Sequence, residues 1–352
     1  MSILAIGVMS GTSLDGIDLA LCRFKASDTR WKYDILAAKT VEYSSLWKSK
    51  LQQAPTLGAQ DFLLLHNEYG CYIGDLINEF LQGKEQPSLV ASHGHTIFHQ
   101  PTKKFTFQLG QGASIAATTG ISTISDFRSL DVALGGQGAP LVPMGDKHLF
   151  SEFDYCLNIG GFANISQQLD GDQLAFDICP ANIVLNQLAL ARSQEYDKDG
   201  AIGATGQIDS KLLSKFNNLP YYQQKYPKSL GREWVETQIM PLLMNSGLSI
   251  EDQAATIYEH ITDQISLNLG AKGKLLITGG GAHNTFLIQK LKTKTACEIS
   301  IPDQNLINFK EALIFAYLGV LAFKGEINVM ATITGSSKDH TGGMLTQMPV
   351  KI

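Results

Sequence analysis

Residues 3–24 read ILAIGVM, then SGTSLDGID, then LALCRF. An apolar run, a stretch rich in Gly, Ser, Thr and Asp, and a second apolar run predict strand, tight turn, strand. The pattern returns past the middle of the chain. Tyr155-Cys156-Leu157-Asn158-Ile159 predicts a strand, Gly160-Gly161-Phe162-Ala163-Asn164 a turn, and 165–169 a second strand. A further turn, Asp170-Gly171-Asp172, leads to the apolar residues 174–176 and a helix from about 181. Each half therefore opens on a β-meander whose first turn is Gly-rich. The repeat is one of architecture, with no residue-level repeat behind it.

Outward from these meanders, helices and strands alternate. A third apolar stretch covers 33–41. Across 59–81, Phe62, Leu65, Tyr69, Ile73, Leu76 and Phe80 recur every three or four residues, the period of a helix with one buried stripe. A short strand at 89–91 runs straight into Ser92-His93-Gly94-His95-Thr96, and 106–109 and 121–125 predict further strands with a helix between them. Ser249 with Asp252 predicts a helix start, with Ala254, Ile257, Ile261, Ile265 and Leu269 as its stripe. Residues 275–278 form a buried strand ending in Gly279-Gly280-Gly281, and 310–323 a last apolar helix before a Gly-rich tail. Such alternation predicts an α/β protein with mixed sheets covered by helices. The boundary falls near 135–152, which gives a first lobe of 1–145 with the tail from about 326 to 352, and a second of 146–325.

Composition narrows the class. The 28 Lys and Arg against 33 Asp and Glu leave 352 residues with a net charge of −5, which argues against a nucleic-acid partner bound through bulk charge. Hydrophobic residues at 44% and charged residues at 17% describe a globular chain with room for two cores. The N-terminus lacks a basic n-region, and the apolar run 312–323 is too short to span a bilayer, so no membrane is expected. Five scattered cysteines without a CxxC predict reduced thiols and a cytoplasmic protein.

Three Gly-rich turns follow strands, at 11–16, 160–161 and 279–281. Backbone N–H groups in such turns cradle phosphate, and glycine removes the side chain that would block its approach. One such turn alone is as readily a tight hairpin. Three in one chain, two at equivalent places, point to a nucleotide. No GxxxxGK[ST] is present, and Gly279-x-Gly281 ends in Asn284, so neither a Walker-type nor a dinucleotide site is indicated. Thr12 and Ser13 offer hydroxyls to phosphate, and Asp15 or Asp18 a carboxylate to Mg²⁺. His93, His95 and His99 lack acidic or Cys partners nearby and read as loop histidines bonding neighbours or substrate. Asp177, at a strand end before a helix, suits a general base and equally a helix-terminal carboxylate. Asp126 and Arg128 follow a strand where ligands gather, and Arg128 suits a carboxylate in bidentate fashion.

Gly7-Val8-Met9-Ser10-Gly11-Thr12-Ser13-Leu14-Asp15-Gly16-Ile17-Asp18 closely resembles the opening of the 1,6-anhydro-N-acetylmuramic acid kinases. The resemblance continues in order through Ser92-His93-Gly94-His95-Thr96, Asp126-Phe127-Arg128, Gly135-Gly136-Gln137-Gly138-Ala139-Pro140-Leu141 and Leu157-Asn158-Ile159-Gly160-Gly161-Phe162-Ala163-Asn164-Ile165-Ser166. It then runs through Asp199-Gly200-Ala201, Pro227-Lys228-Ser229-Leu230-Gly231-Arg232-Glu233 and Thr278-Gly279-Gly280-Gly281-Ala282-His283-Asn284. It implies the two-lobed actin-like ATPase fold, a duplicated ribonuclease H-like α/β unit with ATP in the interlobe cleft. It also implies a cytoplasmic homodimer in cell-wall recycling and amino-sugar catabolism. The implied reaction converts the anhydro sugar, ATP and water into N-acetylmuramate 6-phosphate and ADP.

Carried over, residues Gly11, Thr12, Ser13, Leu14, Asp15, Gly16, Ile17 and Asp18 would bind ATP phosphates with Mg²⁺. Gly160, Gly161, Gly279, Gly280, Gly281 and Asn284 would complete the nucleotide contacts. Asp177 would be the base that activates water, and Thr96, Asp126, Arg128 and Glu311 would touch the sugar. The sequence departs from the family on the sugar side. Around the base, Asp177-Ile178-Cys179-Pro180-Ala181-Asn182 replaces Asp-x-Gly-Pro-Gly-Asn, so a positive φ at Cys179 or Ala181 would be costly. His95 stands where Gln is usual, Asn186 where an acid is common, and 126–131 holds fewer arginines. A kinase of another free or anhydro amino sugar, or a catalytically weak nucleotide-dependent switch, are the other readings.

Overall fold

Backbone pairing begins at the chain's first residues. The protein, seen as a computed structural model, is described over residues 2–11, 14–27, 30–169, 172–226 and 228–349. β1 (Ser2–Ser10) pairs antiparallel with β2 (Gly16–Ala26), from Ser2↔Lys25 to Ser10↔Ile17, and β2 pairs antiparallel with β3 (Trp31–Glu42). On its other side β1 takes β4 (Leu89–Gln100) in parallel, and β4 takes both β5 (Phe105–Leu109), antiparallel, and β6 (Thr123–Ser125), parallel. A parallel partner needs a crossover. The Ala59–Phe80 helix supplies it, burying Leu65, Tyr69, Ile73, Ile77 and Phe80, while Phe62 and Leu76 of the expected stripe are half-buried.

The second meander repeats the first. β7 (Tyr155–Ile159), β8 (Phe162–Leu169) and β9 (Asp172–Pro180) pair antiparallel in sequence. β10 (Lys274–Thr278) lies parallel to β7, and β11 (Glu298–Ser300) parallel to β10. The strand orders β3-β2-β1-β4-β6 and β9-β8-β7-β10-β11 are the same, with the same senses. This is the ribonuclease H-like α/β topology written twice, the actin-like ATPase and sugar-kinase fold. Between β9 and β10 the Ile250–Leu267 helix starts at Ser249, whose Oγ accepts the Asp252 N–H at 3.1 Å, and buries Ala254, Ile257, Ile261 and Ile265. Leu269 lies beyond its end.

The chain separates into two compact units, Met1–Leu149 with Phe309–Ile352, and Phe150–Asn308. The division expected near 325 therefore falls earlier, at 308/309. The reason is the Gln304–Lys324 helix, which departs from helical geometry at Phe309 (φ −116°, ψ 15°) and from there packs in the first unit. Its backbone lies against β1 at Gly7, where a Cβ would stand 1.8 Å from the Ala312 carbonyl oxygen. Among the described residues it is the one helix long and apolar enough to cross a membrane, and 78% of that stretch is buried within the fold. The tail adds a strand, Met344–Thr346, antiparallel to β6, which the sequence pattern does not show.

The contact at Gly7 gives a direct test. Gly7→Ala forces helix and strand backbones apart, so it is expected to cost about 3 kcal/mol or more, the upper end for overpacking. Urea unfolding of the variant beside wild type measures it.

Candidate active site

In open α/β sheets ligands gather at the carboxyl ends of the parallel strands. In the first unit β1 ends at Ser10, and the chain leaves through Gly11 into a turn where Leu14 has a left-handed backbone (φ 62°) and donates its N–H to the Gly11 carbonyl at 3.4 Å. A bulky residue held at positive φ marks a conformation imposed by its surroundings. Thr12 and Ser13 lie outside the described residues. Asp15 is exposed, and Gly16 opens β2. Ile17 is fully buried, paired with Ser10 on one side and Val41 on the other. Asp18 is half-buried, and its Oδ1 accepts the Thr40 hydroxyl at 2.6 Å. Burial raises its carboxyl in spite of that bond, and Asp15 adds to the rise.

Ser10 anchors the turn from inside the fold. Its Oγ meets the Tyr43 hydroxyl at 2.6 Å, His95 Nδ1 at 2.9 Å and the Tyr69 hydroxyl at 3.0 Å, and the two tyrosine hydroxyls bond each other. His95 sits beside Ser10 because β4 does not stop at 91. It runs on to Gln100, paired to β1, β5 and β6, so His93, His95, Thr96 and His99 are strand residues and not loop residues. Burial lowers His95 to about 4 and keeps it neutral. Thr96 is half-buried, with Gln108 Nε2 3.5 Å from its hydroxyl.

Asp126 has a left-handed backbone (φ 54°), and its Oδ1 accepts the Ser129 N–H at 3.2 Å. This turn delivers Arg128 to His93 Nε2, at 3.0 Å from Nε and 2.8 Å from Nη2, and to the Gly138 carbonyl at 2.5 Å. Asp131 is fully buried and holds the same Gly-rich loop, accepting the Gly138 N–H and the Thr334 hydroxyl, each at 2.6 Å. Glu311 reaches water, yet the protein packed around it still raises its carboxyl. Arg128 and Lys310 oppose that rise and Asp18 adds to it.

The second unit carries the remaining candidates. Asp177 stands on edge strand β9 where the pairing with β8 slips, between Asn164↔Asp177 and Ala163↔Cys179. Tyr221, Lys228 and Leu230 tie it down. Tyr221 donates its hydroxyl to the Asp177 carbonyl at 2.5 Å, the Asp177 N–H goes to the Lys228 carbonyl at 3.2 Å, and Oδ2 accepts the Leu230 N–H at 2.9 Å. Among the described residues nothing donates to Oδ1. Burial raises the carboxyl, and the Leu230 N–H partly opposes it. Neither Cys179 nor Ala181 has a positive φ (Ala181 lies at −130°), so losing glycine there creates no left-handed residue. Asn186 is exposed on the following helix.

The glycines of this unit divide by what surrounds them. At Gly279 (φ 80°) a Cβ would meet Asn158 Oδ1 at 2.6 Å, and at Gly281 it would meet Ile159 at 2.3 Å, so the fold itself requires both. At Gly160, Gly161 and Gly280 a Cβ would meet nothing closer than 3.6 Å, so what glycine leaves there is open backbone. The Gly160 carbonyl also accepts the Asn182 N–H at 3.1 Å, and that of Gly161 accepts the Ala181 N–H at 2.8 Å, joining this turn to the end of β9. Asn284 spends its side chain on the fold. Its Oδ1 accepts the Leu287 N–H at 3.0 Å and its Nδ2 donates to the Tyr258 hydroxyl at 2.7 Å.

The sequence does not show Ser10, Tyr43 and Tyr69 as a unit, the cage around Asp131, or the contacts of Tyr221, Lys228 and Leu230 with Asp177. Tyr69 is legible there only as part of an apolar stripe. Among the described residues no three His, Cys, Asp or Glu form a metal cluster.

The family model described as anhydro-N-acetylmuramic acid kinase matches residues 3–348. An anhydro-N-acetylmuramic acid kinase of Shewanella sediminis is 34% identical over 367 residues, covering 97% of each chain. One from Aliivibrio fischeri is 34% identical over 372 residues, covering 97% of this chain and 98% of the relative. Among solved structures, the activator of 2-hydroxyisocaproyl-CoA dehydratase from Clostridium difficile with bound ADPNP shares 16% identity at a TM-score of 0.43, over 90% of this chain and 94% of that one.

The Asp131 node has a measurable consequence. Asp131→Ala strands two buried donors and is expected to destabilise by about 2–4 kcal/mol. Asp131→Asn, which keeps one acceptor, should lose less in the same denaturant titration.

Proposed function

The chain belongs to the anhydro-N-acetylmuramic acid kinase family, and on that premise we propose how its residues divide the work. It is an ATP-dependent sugar kinase. It opens 1,6-anhydro-N-acetylmuramic acid with water and phosphorylates O6, yielding N-acetylmuramic acid 6-phosphate and ADP. The observation that carries the mechanism is Asp177, whose Oδ2 is occupied by a backbone N–H and whose Oδ1 is left to accept a proton.

Water attacks C1, its proton passes to Asp177 Oδ1, and the bond from C1 to O6 breaks. O6, released as a developing oxyanion, takes the γ-phosphoryl group, and ADP leaves. A carboxyl raised by burial is a better base than an exposed aspartate, because basicity near the working pH favours proton transfer. The turn from Gly11 to Asp18 binds the ATP phosphates, with the open backbone at Gly160, Gly161 and Gly280 as further nucleotide contacts. Gly279, Gly281 and Asn284 support the second unit's part of these contacts, and Thr96, Asp126, Arg128 and Glu311 meet the sugar. Mg²⁺ fits this chemistry as an ion carried by ATP phosphates with Asp15 or Asp18 as protein carboxylate, since magnesium keeps most of its shell from water and phosphate. When bound it offsets phosphate charge during transfer. A cytoplasmic homodimer is part of the same proposal.

Asp177→Asn should lower turnover by about 10²–10⁴-fold with ATP binding retained. In ¹⁸O-labelled water, wild type should place label at C1 of the sugar and none in the phosphate, as mass spectrometry before anomeric exchange will read. The acid limb of the kcat–pH profile should lie above the ordinary aspartate range, because the base works only when deprotonated and burial raises it. Near-full activity in Asp177→Asn would move the base elsewhere. Gly11→Val should weaken ATP binding by calorimetry while far-UV circular dichroism stays unchanged, since a β-branched side chain obstructs backbone approach to phosphate.

A further inference from the structure

Arg128 is mounted on uncharged partners. A guanidinium has five N–H donors in a fixed plane. The Nε–H and one Nη2–H converge on the single lone pair of His93 Nε2, and one Nη1–H goes to the Gly138 carbonyl. Among the described residues the other two N–H groups, one on each terminal nitrogen, meet no acceptor. Among the described residues no carboxylate is ion-paired to it. Asp131 and Glu311 act on it from farther off, and Asp131 spends its oxygens on Gly138 and Thr334.

His93 is built to stay neutral. It is 4% exposed, its ring lies 4.6 Å from that of Phe315, and Nδ1 meets the Gly94 carbonyl at 2.8 Å. A ring that donates through Nδ1 and accepts at Nε2 carries one proton. Burial first and the Arg128 charge second hold it well below the ordinary histidine range, with the Gly94 backbone opposing and His95 adding a smaller push down. A carboxylate here would hold Arg128 more tightly but would cancel its charge.

We propose that His93 is a positioning residue: it grips Arg128 through a neutral acceptor, so that the two remaining N–H groups meet an oxyanion of the bound reactants with no carboxylate directly paired to the guanidinium. The inference rests on Arg128 being a reactant contact, as set out above. The oxyanion is either the lactyl carboxylate of the sugar or the phosphoryl group in transfer.

Two near-isosteric variants separate shape from charge. His93→Gln offers a neutral oxygen at similar reach, whereas His93→Glu offers a charged one. With folding checked by circular dichroism, His93→Glu should fall about tenfold or more below His93→Gln in kcat/KM. Each is assayed on the free sugar acid and on its lactyl methyl ester. A wild-type preference for the acid that is lost in His93→Glu assigns the carboxylate. An equal fall in kcat on both sugars assigns the phosphoryl group. Equal activity of the two variants would overturn the proposal. In ¹⁵N NMR of the wild-type imidazole, the ring should carry its proton on Nδ1 and not titrate between pH 5 and 8. Titration in that range, or a proton on Nε2, would overturn it independently of any variant. Absence of wild-type turnover on the free acid would instead refute the kinase assignment, and the NMR result would still stand.

Discussion

The first unit depends on how closely its last long helix approaches its first strand. A helix backbone meets a strand backbone at Gly7 only because no Cβ intervenes, and Gly319 meets Ala91 in the same way, with a Cβ there 2.4 Å from the alanine's own. From that contact the rest follows. The helix covers the sheet, so both ends of the chain build one unit. Lys310 reaches the buried Asp146 at 2.7 Å, and Glu311 comes into the fields of Arg128 and Asp18. The tail beyond the helix then has β6 beside it to pair with.

On this scaffold the charged groups are held by neutral or backbone partners. Arg128 leans on an imidazole and a carbonyl, Asp18 on a threonine hydroxyl, and Asp177 on a peptide N–H. Each keeps its charge available for something else. Structural ionic needs are met apart from them, by the buried Lys310–Asp146 pair and by Asp131 in its cage of donors. For the proposed reaction this mounting matters, because direct pairing of such ions would offset the fields that bind and orient reactants.

Much of this was legible in residue order. The two meanders, their Gly-rich turns and the α/β alternation follow from local rules, since strand and helix periods and turn chemistry act over a few neighbouring residues. Tyr69 and Ile73 read correctly as core, and Ser249 read correctly as a helix cap. Family motifs spread along nearly the whole chain named the reaction. His93 and His95 misled for a physical reason: strand length is set by partners, and β4 runs on to Gln100 because β1, β5 and β6 pair along it. Asn284 shows that a side chain in a Gly-rich motif can serve as a helix cap, which residue order alone does not tell.

The partners themselves were decided only by tertiary structure. Ser10 and His95 are 85 residues apart, His93 and Arg128 are 35, and Asp131 and Thr334 are 203. The assignment of the final helix to the first unit, the split between glycines the fold needs and glycines it leaves open, and the Leu230 N–H on Asp177 Oδ2 have the same origin. Residue order determines which groups a segment offers and how its backbone turns. Which lone pair or N–H is left unused depends on what packs beside it, and in this chain those neighbours come from distant segments.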